Sequence, residues 1–312
     1  MEINEVLEEY LLDCKIRNLS KKTISSYNYQ IGIFVKYIET EFNEKDIVKV
    51  KKIHVKKYLL DLQESKKSNY INQLLKTLKL LFRYAVEENY LDKNVIDNVS
   101  YLKTERVLLN TFNDTEVANM IEHYAKNTDF ISQRNKVIIE VFADCGLRAQ
   151  EVRELKNENI YDNYIKFWGK GRKERIVPLS PYLSYSLKKY NRVKKGYFNN
   201  LRSYREIEDY VFVSKSGNQL KNNVLLEKIV RDACNEVGVR DEIQRKSCHS
   251  LRHYYAQKLL KSGVNLYTIS RLLGHSNIKT TQTYLNSLTN DEILNDVQGI
   301  TPLTVLLLDK KL

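Results

Sequence analysis

Apolar side chains recur every three or four residues through the first hundred positions, in a stretch with little glycine and no proline. A run of this kind closes as amphipathic helices, because that spacing lines one helical face and nothing in it interrupts the backbone ladder. Ile3, Val6, Leu7, Tyr10, Leu11 and Cys14 form one such set, and Tyr27, Ile31, Phe34, Val35 and Ile38 form a second after a Ser20 cap. Two further helices are predicted, over about residues 53–63 and 69–88, the latter carrying Ile71, Leu74, Leu75, Leu78, Leu81, Phe82, Ala85 and Val86. Four helices specify a small all-α domain over residues 1–102. The polar stretch 100–113, containing Lys103, Thr104, Glu105 and Arg106, shows neither the helical nor the strand period, and residues 103–112 within it read as a linker.

A second domain is predicted over residues 113–312, and a length of 312 residues suits two domains. Asn113 and Asp114 precede a helix with Val117, Met120 and Ile121. A helix over residues 137–144 stops at Gly146, the residue type that tolerates a left-handed C-cap, and another helical turn begins near Leu147 or Arg148. Residues 159–161, 164–168 and 174–178 are rich in Ile, Tyr, Phe and Val. They are separated by Asp162-Asn163 and by Gly169-Lys170-Gly171-Arg172, which predicts a β-meander. Helices resume after Pro181, over about residues 222–237, 249–261 and 266–273, the last ending at Gly274-His275. The fold class is therefore mainly α with a small β-meander, an all-α N-terminal domain followed by a mixed α+β domain.

Charge narrows the partner. The chain has 51 Lys and Arg against 39 Asp and Glu, a formal charge of +12, and residues 45–79 hold ten lysines against three acids. Such clustering favours a nucleic-acid face, since lysines gain affinity by displacing counterions from phosphates, although a solvated basic surface accounts for the same composition. No apolar run approaches the roughly 20 residues of a membrane-spanning helix. The acidic start Met1-Glu2-Ile3-Asn4-Glu5 lacks the pattern of a signal peptide, so a cytoplasmic, nucleoid-associated protein is expected. Cys14, Cys145, Cys234 and Cys248 form no C-x-x-C pair and are expected to be buried thiols.

Reactive side chains concentrate in four short strings: G-L-R-A-Q-E at 146–151, G-K-G-R-K-E-R at 169–175, H-S-L-R-H at 249–253, and L-G-H-S-N at 273–277 with Tyr284 nine residues after His275. Among their side chains are a pair of arginines, one loop lysine and two histidines within reach of a tyrosine, without an acidic cluster for a divalent metal. Fixed positive charge of this kind can stabilise a pentavalent phosphate, because phosphoryl transfer mostly requires positioning and charge neutralisation. Zinc is the rival chemistry, since His249 and His253 lie four apart and His275 could be a third ligand. Against it, the Glu of H-E-x-x-H is replaced by Ser250 and no Cys or Asp cluster completes a site.

Together the strings resemble the signature of the tyrosine recombinase, or phage integrase, family, of the Xer-like kind. Arg148 with Glu151 matches its first box, Lys170 its hairpin lysine, His249 and Arg252 its H-x-x-R, and His275 and Tyr284 its final pair. Ser247-Cys248 departs from the Thr-Pro that many members carry before the histidine. The resemblance implies a site-specific DNA recombinase with a core-binding domain and a catalytic domain that clamp duplex DNA, with no metal or nucleotide cofactor. It implies Tyr284 as nucleophile, forming a 3′-phosphotyrosine on the way to a Holliday junction, so that DNA is integrated, excised or resolved. Arg148 and Arg252 would bind the non-bridging phosphate oxygens, as bidentate guanidinium groups can. Lys170 would act as general acid, His249 and His275 would relay protons or bind the phosphate, and Glu151 would orient Arg148.

DNA contacts are expected from Arg172, Lys173 and Arg175 in the hairpin, and from Lys49, Lys52, Lys56, Lys76 and Lys79 in the first domain. The partners implied are a double-stranded recombination site and a homo-tetramer on two such sites, with accessory proteins left open. The tail, residues 285–312, has an apolar end at Leu303 and Val305 to Leu308, which either packs on its own domain or docks in trans on a neighbouring protomer. Two other readings account for parts of the same pattern. A type IB topoisomerase would use the same residues without exchanging strands between two sites, and a non-catalytic DNA-binding regulator would account for the charge alone.

Overall fold

The computed structural model describes residues 1–104, 110–168, 174–201, 206–243, 245–275, 277–282 and 285. The chain divides into two compact units, residues 1–107 and 108–312. In the first unit, α1 (Ile3–Ile16), α2 (Lys21–Phe42), α3 (Lys52–Gln63) and α4 (Ser68–Glu87) enclose one apolar core. Ser20 caps α2 by accepting the Thr23 N–H at 3.1 Å. Ile3, Val6, Ile31, Phe34, Leu78 and Phe82 are fully or almost fully buried, and Phe34 meets Tyr58 edge-on at 5.3 Å between ring centroids. The periodic positions of the sequence are thus the faces that the helices turn inward.

The second unit is organised around α6 (Phe130–Cys145), which packs against α5 (Asp114–Ala125), α8 (Pro181–Asn199) and α10 (Cys248–Lys261). Val137, Ile138, Ile139, Val141, Phe142 and Cys145 are all buried, so α6 is enclosed on more than one face rather than amphipathic. It starts seven residues before the expected 137, because the Asp129 carboxylate accepts the N–H groups of Ile131 and Ser132 at 2.9 and 3.2 Å and caps an earlier turn. Helix α8 likewise begins at Pro181, after a Ser180 cap, over residues to which the sequence reading assigned no bounds. The short α7 (Ala149–Arg153) and then α9 (Val224–Glu236), α11 (Leu266–Leu273) and α12 (Lys279–Gln282) complete the described helices.

Strands β1 (Tyr164–Trp168) and β2 (Glu174–Pro178) pair antiparallel, with Tyr164 opposite Pro178 and Phe167 opposite Arg175. The expected third strand of the meander is reduced among the described residues. Residues 157–159 form a 3₁₀ turn and Ile160 makes a single bridge to Ile165, because the chain turns back at once and the Tyr161 N–H donates to the Tyr164 carbonyl at 2.9 Å. All four cysteines are buried and unpaired. Among the described residues, no helix is long and apolar enough to cross a membrane.

Candidate active site

The C-terminus of α6 fixes the first box. Gly146 closes that helix in the left-handed conformation, at φ +58°, and an added Cβ would lie 2.2 Å from Cδ1 of the Tyr255 ring. Only glycine meets both conditions. The chain then enters α7 with Arg148 at its N-cap. Glu151, one turn on, reaches back so that its Oε2 accepts the Arg148 N–H at 2.8 Å, while its Oε1 accepts from Arg148 Nη1 at 2.9 Å.

The end of α11 brings the other boxes to the same place. Gly274, also left-handed at φ +64°, terminates that helix and leaves carbonyl oxygens without helical partners. Arginines fill them. The Leu273 carbonyl accepts from Arg252 Nη2 at 2.7 Å and from Arg175 Nη1 at 2.9 Å, and the Gly274 carbonyl accepts from Arg148 Nη2 at 2.8 Å. Cations at a helix C-terminus also meet its negative dipole end. Arg252 is 1 % exposed and donates its Nη1 to the Gly146 carbonyl at 2.7 Å, so one guanidinium spans the ends of α6 and α11. The Arg148 side chain is 44 % exposed.

His275 follows directly. Its Nε2 lies 3.1 Å from Arg252 Nη2 and its Nδ1 lies 2.8 Å from Thr281 Oγ1. A guanidinium only donates, so Nε2 accepts and the ring hydrogen sits on Nδ1, donating to Thr281. Burial first, and then the charges of Arg252 and Arg148, lower the His275 pKa to about 4, which keeps the imidazole neutral. His249 is lowered too, by burial and then by Arg252 and Arg245, and it meets His253 edge-on at 4.2 Å between centroids. Burial works to raise the pKa of Glu151, but Arg175 and then Arg148 overcome it and hold the carboxyl below its ordinary range.

Arg148, Glu151, Arg252 and His275 thus come together, and His249 lies in the field of the same arginines. Lys170, Arg172, Lys173, Tyr284 and the tail beyond Leu285 lie outside the described residues. Among those described, no group of three His, Cys, Asp or Glu side chains is gathered as a metal site would need. Arg175 departs from the expected surface contact with DNA. Its side chain is 12 % exposed, and its guanidinium bonds Glu151 Oε2 at 2.8 Å and lies 5.0 Å from the Phe167 ring centroid. Strand alternation was the signal for this, since Arg175 shares the inward face of β2 with fully buried Val177. In the first unit Lys49, Lys56 and Lys76 are exposed and Lys52 is half-buried. Lys79 instead donates to the Asp97 carbonyl at 2.6 Å and lies over Tyr101, which engages its charge within its own unit.

At Ser247-Cys248, the Cys248 N–H donates to Glu227 Oε2 at 3.1 Å, and Ser247 caps α10 through the Ser250 N–H. The departure therefore leaves the start of the H-x-x-R helix intact and adds a tie to α9.

Comparison with known proteins identifies the family. The phage integrase family matches residues 110–291, and the phage integrase N-terminal SAM-like domain matches residues 6–92. The chain is 26% identical to the tyrosine recombinase XerC of Chlorobaculum tepidum over 89% of each, and 27% identical to XerD of Oceanobacillus iheyensis over 86% of this chain and 88% of that one. In fold it is similar to the XerH site-specific recombinase bound to a palindromic difH substrate, with a TM-score of 0.74 at 22% identity over 94% of this chain and 83% of that one. It is also similar to a lambda integrase dimer bound to a COC′ core site, with a TM-score of 0.73 at 17% identity over 93% and 97%. With four boxes in order and Arg148, Arg175, Arg252 and His275 meeting at one helix end, the chain belongs to the phage integrase family, as an Xer-like tyrosine recombinase.

Proposed function

We propose that this protein cuts and rejoins double-stranded DNA at a specific site through a covalent tyrosine intermediate. The observation that carries the reading is the convergence of Arg148 and Arg252, from two separated strings, on the carbonyls that end α11, directly before His275, whose Nε2 meets Arg252. Arg148, partly exposed and oriented by Glu151, and Arg252 neutralise the non-bridging oxygens of the scissile phosphate. The Tyr284 oxygen attacks phosphorus and forms a 3′-phosphotyrosine as the bond to the 5′-oxygen breaks. His249 takes the phenolic proton, His275 holds Arg252 beside the phosphate, and Lys170 donates a proton to the leaving oxygen. Attack by a 5′-hydroxyl of a second strand reverses these steps and returns the tyrosine, so the ester energy is kept and no nucleotide is consumed. Exchange between two sites passes through a Holliday junction and uses four copies of the chain, with residues 285–312 docking on a neighbouring copy.

The test is a suicide substrate nicked beside the scissile phosphate. Wild-type protein is expected to accumulate a covalent adduct, and Tyr284→Phe to bind the same DNA with unchanged affinity and form none. Adduct persisting in that variant would place the nucleophile elsewhere. Tyr254, held by Asp114 at 3.0 Å, and Tyr255, 6 % exposed, both have raised pKa values and are poorly suited to replace it.

A further inference from the structure

We propose that Arg175 is a positioning residue for strand cleavage, clamping the Glu151 carboxylate to the end of α11 so that Arg148 and the His275 turn hold one arrangement. The inference rests on the recombinase reading above, and deepens it. An i,i+3 pair between Arg148 and Glu151 on its own is weak and leaves both side chains free to change rotamer. Here the carboxylate is fixed from two directions. Its Oε2 accepts both the Arg148 N–H and Arg175 Nη2, each at 2.8 Å, which leaves Oε1 aimed at Arg148 Nη1 at 2.9 Å.

The other nitrogen of the Arg175 fork donates to the Leu273 carbonyl at 2.9 Å, the oxygen that Arg252 Nη2 also uses. One side chain on β2 therefore touches the partner of the first arginine and the partner of the second. Gly274 makes room for it, since an added Cβ would lie 2.3 Å from Arg175 Nη1. That glycine has a second requirement besides its positive φ. Arg175 lies in the strand that begins at Glu174, directly after Lys170 and its neighbours in sequence, so the same clamp anchors the start of that strand. A planar guanidinium can meet a carboxylate and a carbonyl at once, whereas a lysine ammonium is a point donor on a flexible stem.

The test uses the full chain, the suicide substrate, and the variants Arg175→Lys and Arg175→Met. Thermal unfolding establishes that each is folded; if Arg175→Met is not, Arg175→Lys decides. Both are expected to bind the site with wild-type affinity and an unchanged salt slope, while cleavage at saturating DNA slows by about 10- to 100-fold, the cost typical of a misplaced catalytic group. A backbone contact would behave oppositely. Arg175→Met would then lose affinity and lower the slope of log K against log salt by about 0.9, while cleavage at saturation stayed unchanged. That result, or full-rate cleavage by Arg175→Lys, overturns the inference alone. Failure of the wild type to form any adduct overturns the recombinase reading and this inference with it.

Discussion

His275 and His253 are both held near a pKa of about 4, by burial first, and then chiefly by Arg252 for His275 and by His249 and Arg252 for His253. In the unfolded chain each titrates near the ordinary value of about 6.5, so between the two values the unfolded state binds more protons. Stability is then full above about pH 6.5 and is lost progressively as pH falls toward 4. Thermal unfolding followed from about pH 7.5 to about pH 5 should show a falling Tm, and His253→Gln should flatten that slope. A Tm independent of pH across this window would contradict the burial of neutral imidazoles. The same neutrality leaves the positive field of the site to its arginines. Their identities were plain in the sequence, but the inward turn of Arg175 was not, because the run of basic residues after G-K-G in the sequence masks the alternation that sets its direction.

At the level of elements, caps decide where helices begin. Asp129 holds two N–H groups at the start of α6, and its carboxyl sits below the ordinary range through the Ser132 hydroxyl and the backbone donors. Asp129→Ala should cost about 1 kcal/mol, measured by chemical denaturation, and a change near zero would mean that the first turn of α6 contributes nothing. This cap also explains a gap in what the sequence discloses. Phe130 to Lys136 includes Gln133 and Arg134, which are polar but buried, so the apolar period appears only from Val137. Arg134 is satisfied by the Val213 carbonyl at 3.0 Å, a partner 79 residues away that no local pattern encodes. The third meander segment falls short for the converse reason, since Ile160 and Tyr161 have strand composition but Ile160 makes a single bridge, to Ile165.

For the whole molecule, the all-α first unit and the mixed second unit were legible because periodicity is a local property. The charge was legible in amount and less so in placement. Exposed Lys49, Lys56 and Lys76, with half-buried Lys52, remain the proposed phosphate contacts of the first unit, whereas the Lys79 ammonium donates to the Asp97 carbonyl. Replacing the three exposed lysines by alanine should weaken DNA binding and reduce the salt slope by about 0.9 for each true contact, while Lys79→Ala should leave the slope unchanged. Fluorescence anisotropy over a salt series reads both, and an unaltered slope in the triple variant would remove these lysines from the DNA face.

The oxygens that gather Arg148, Arg175 and Arg252 belong to the main chain of Leu273 and Gly274. What must be preserved there is the length of α11, more than the side chains along it. One added residue turns a helix end by about 100° and advances it about 1.5 Å, enough to carry both oxygens away from all three guanidinium groups together. Replacement of exposed Tyr267 on the same helix would move neither oxygen. In this part of the protein a one-residue insertion is therefore a more severe genetic change than most substitutions.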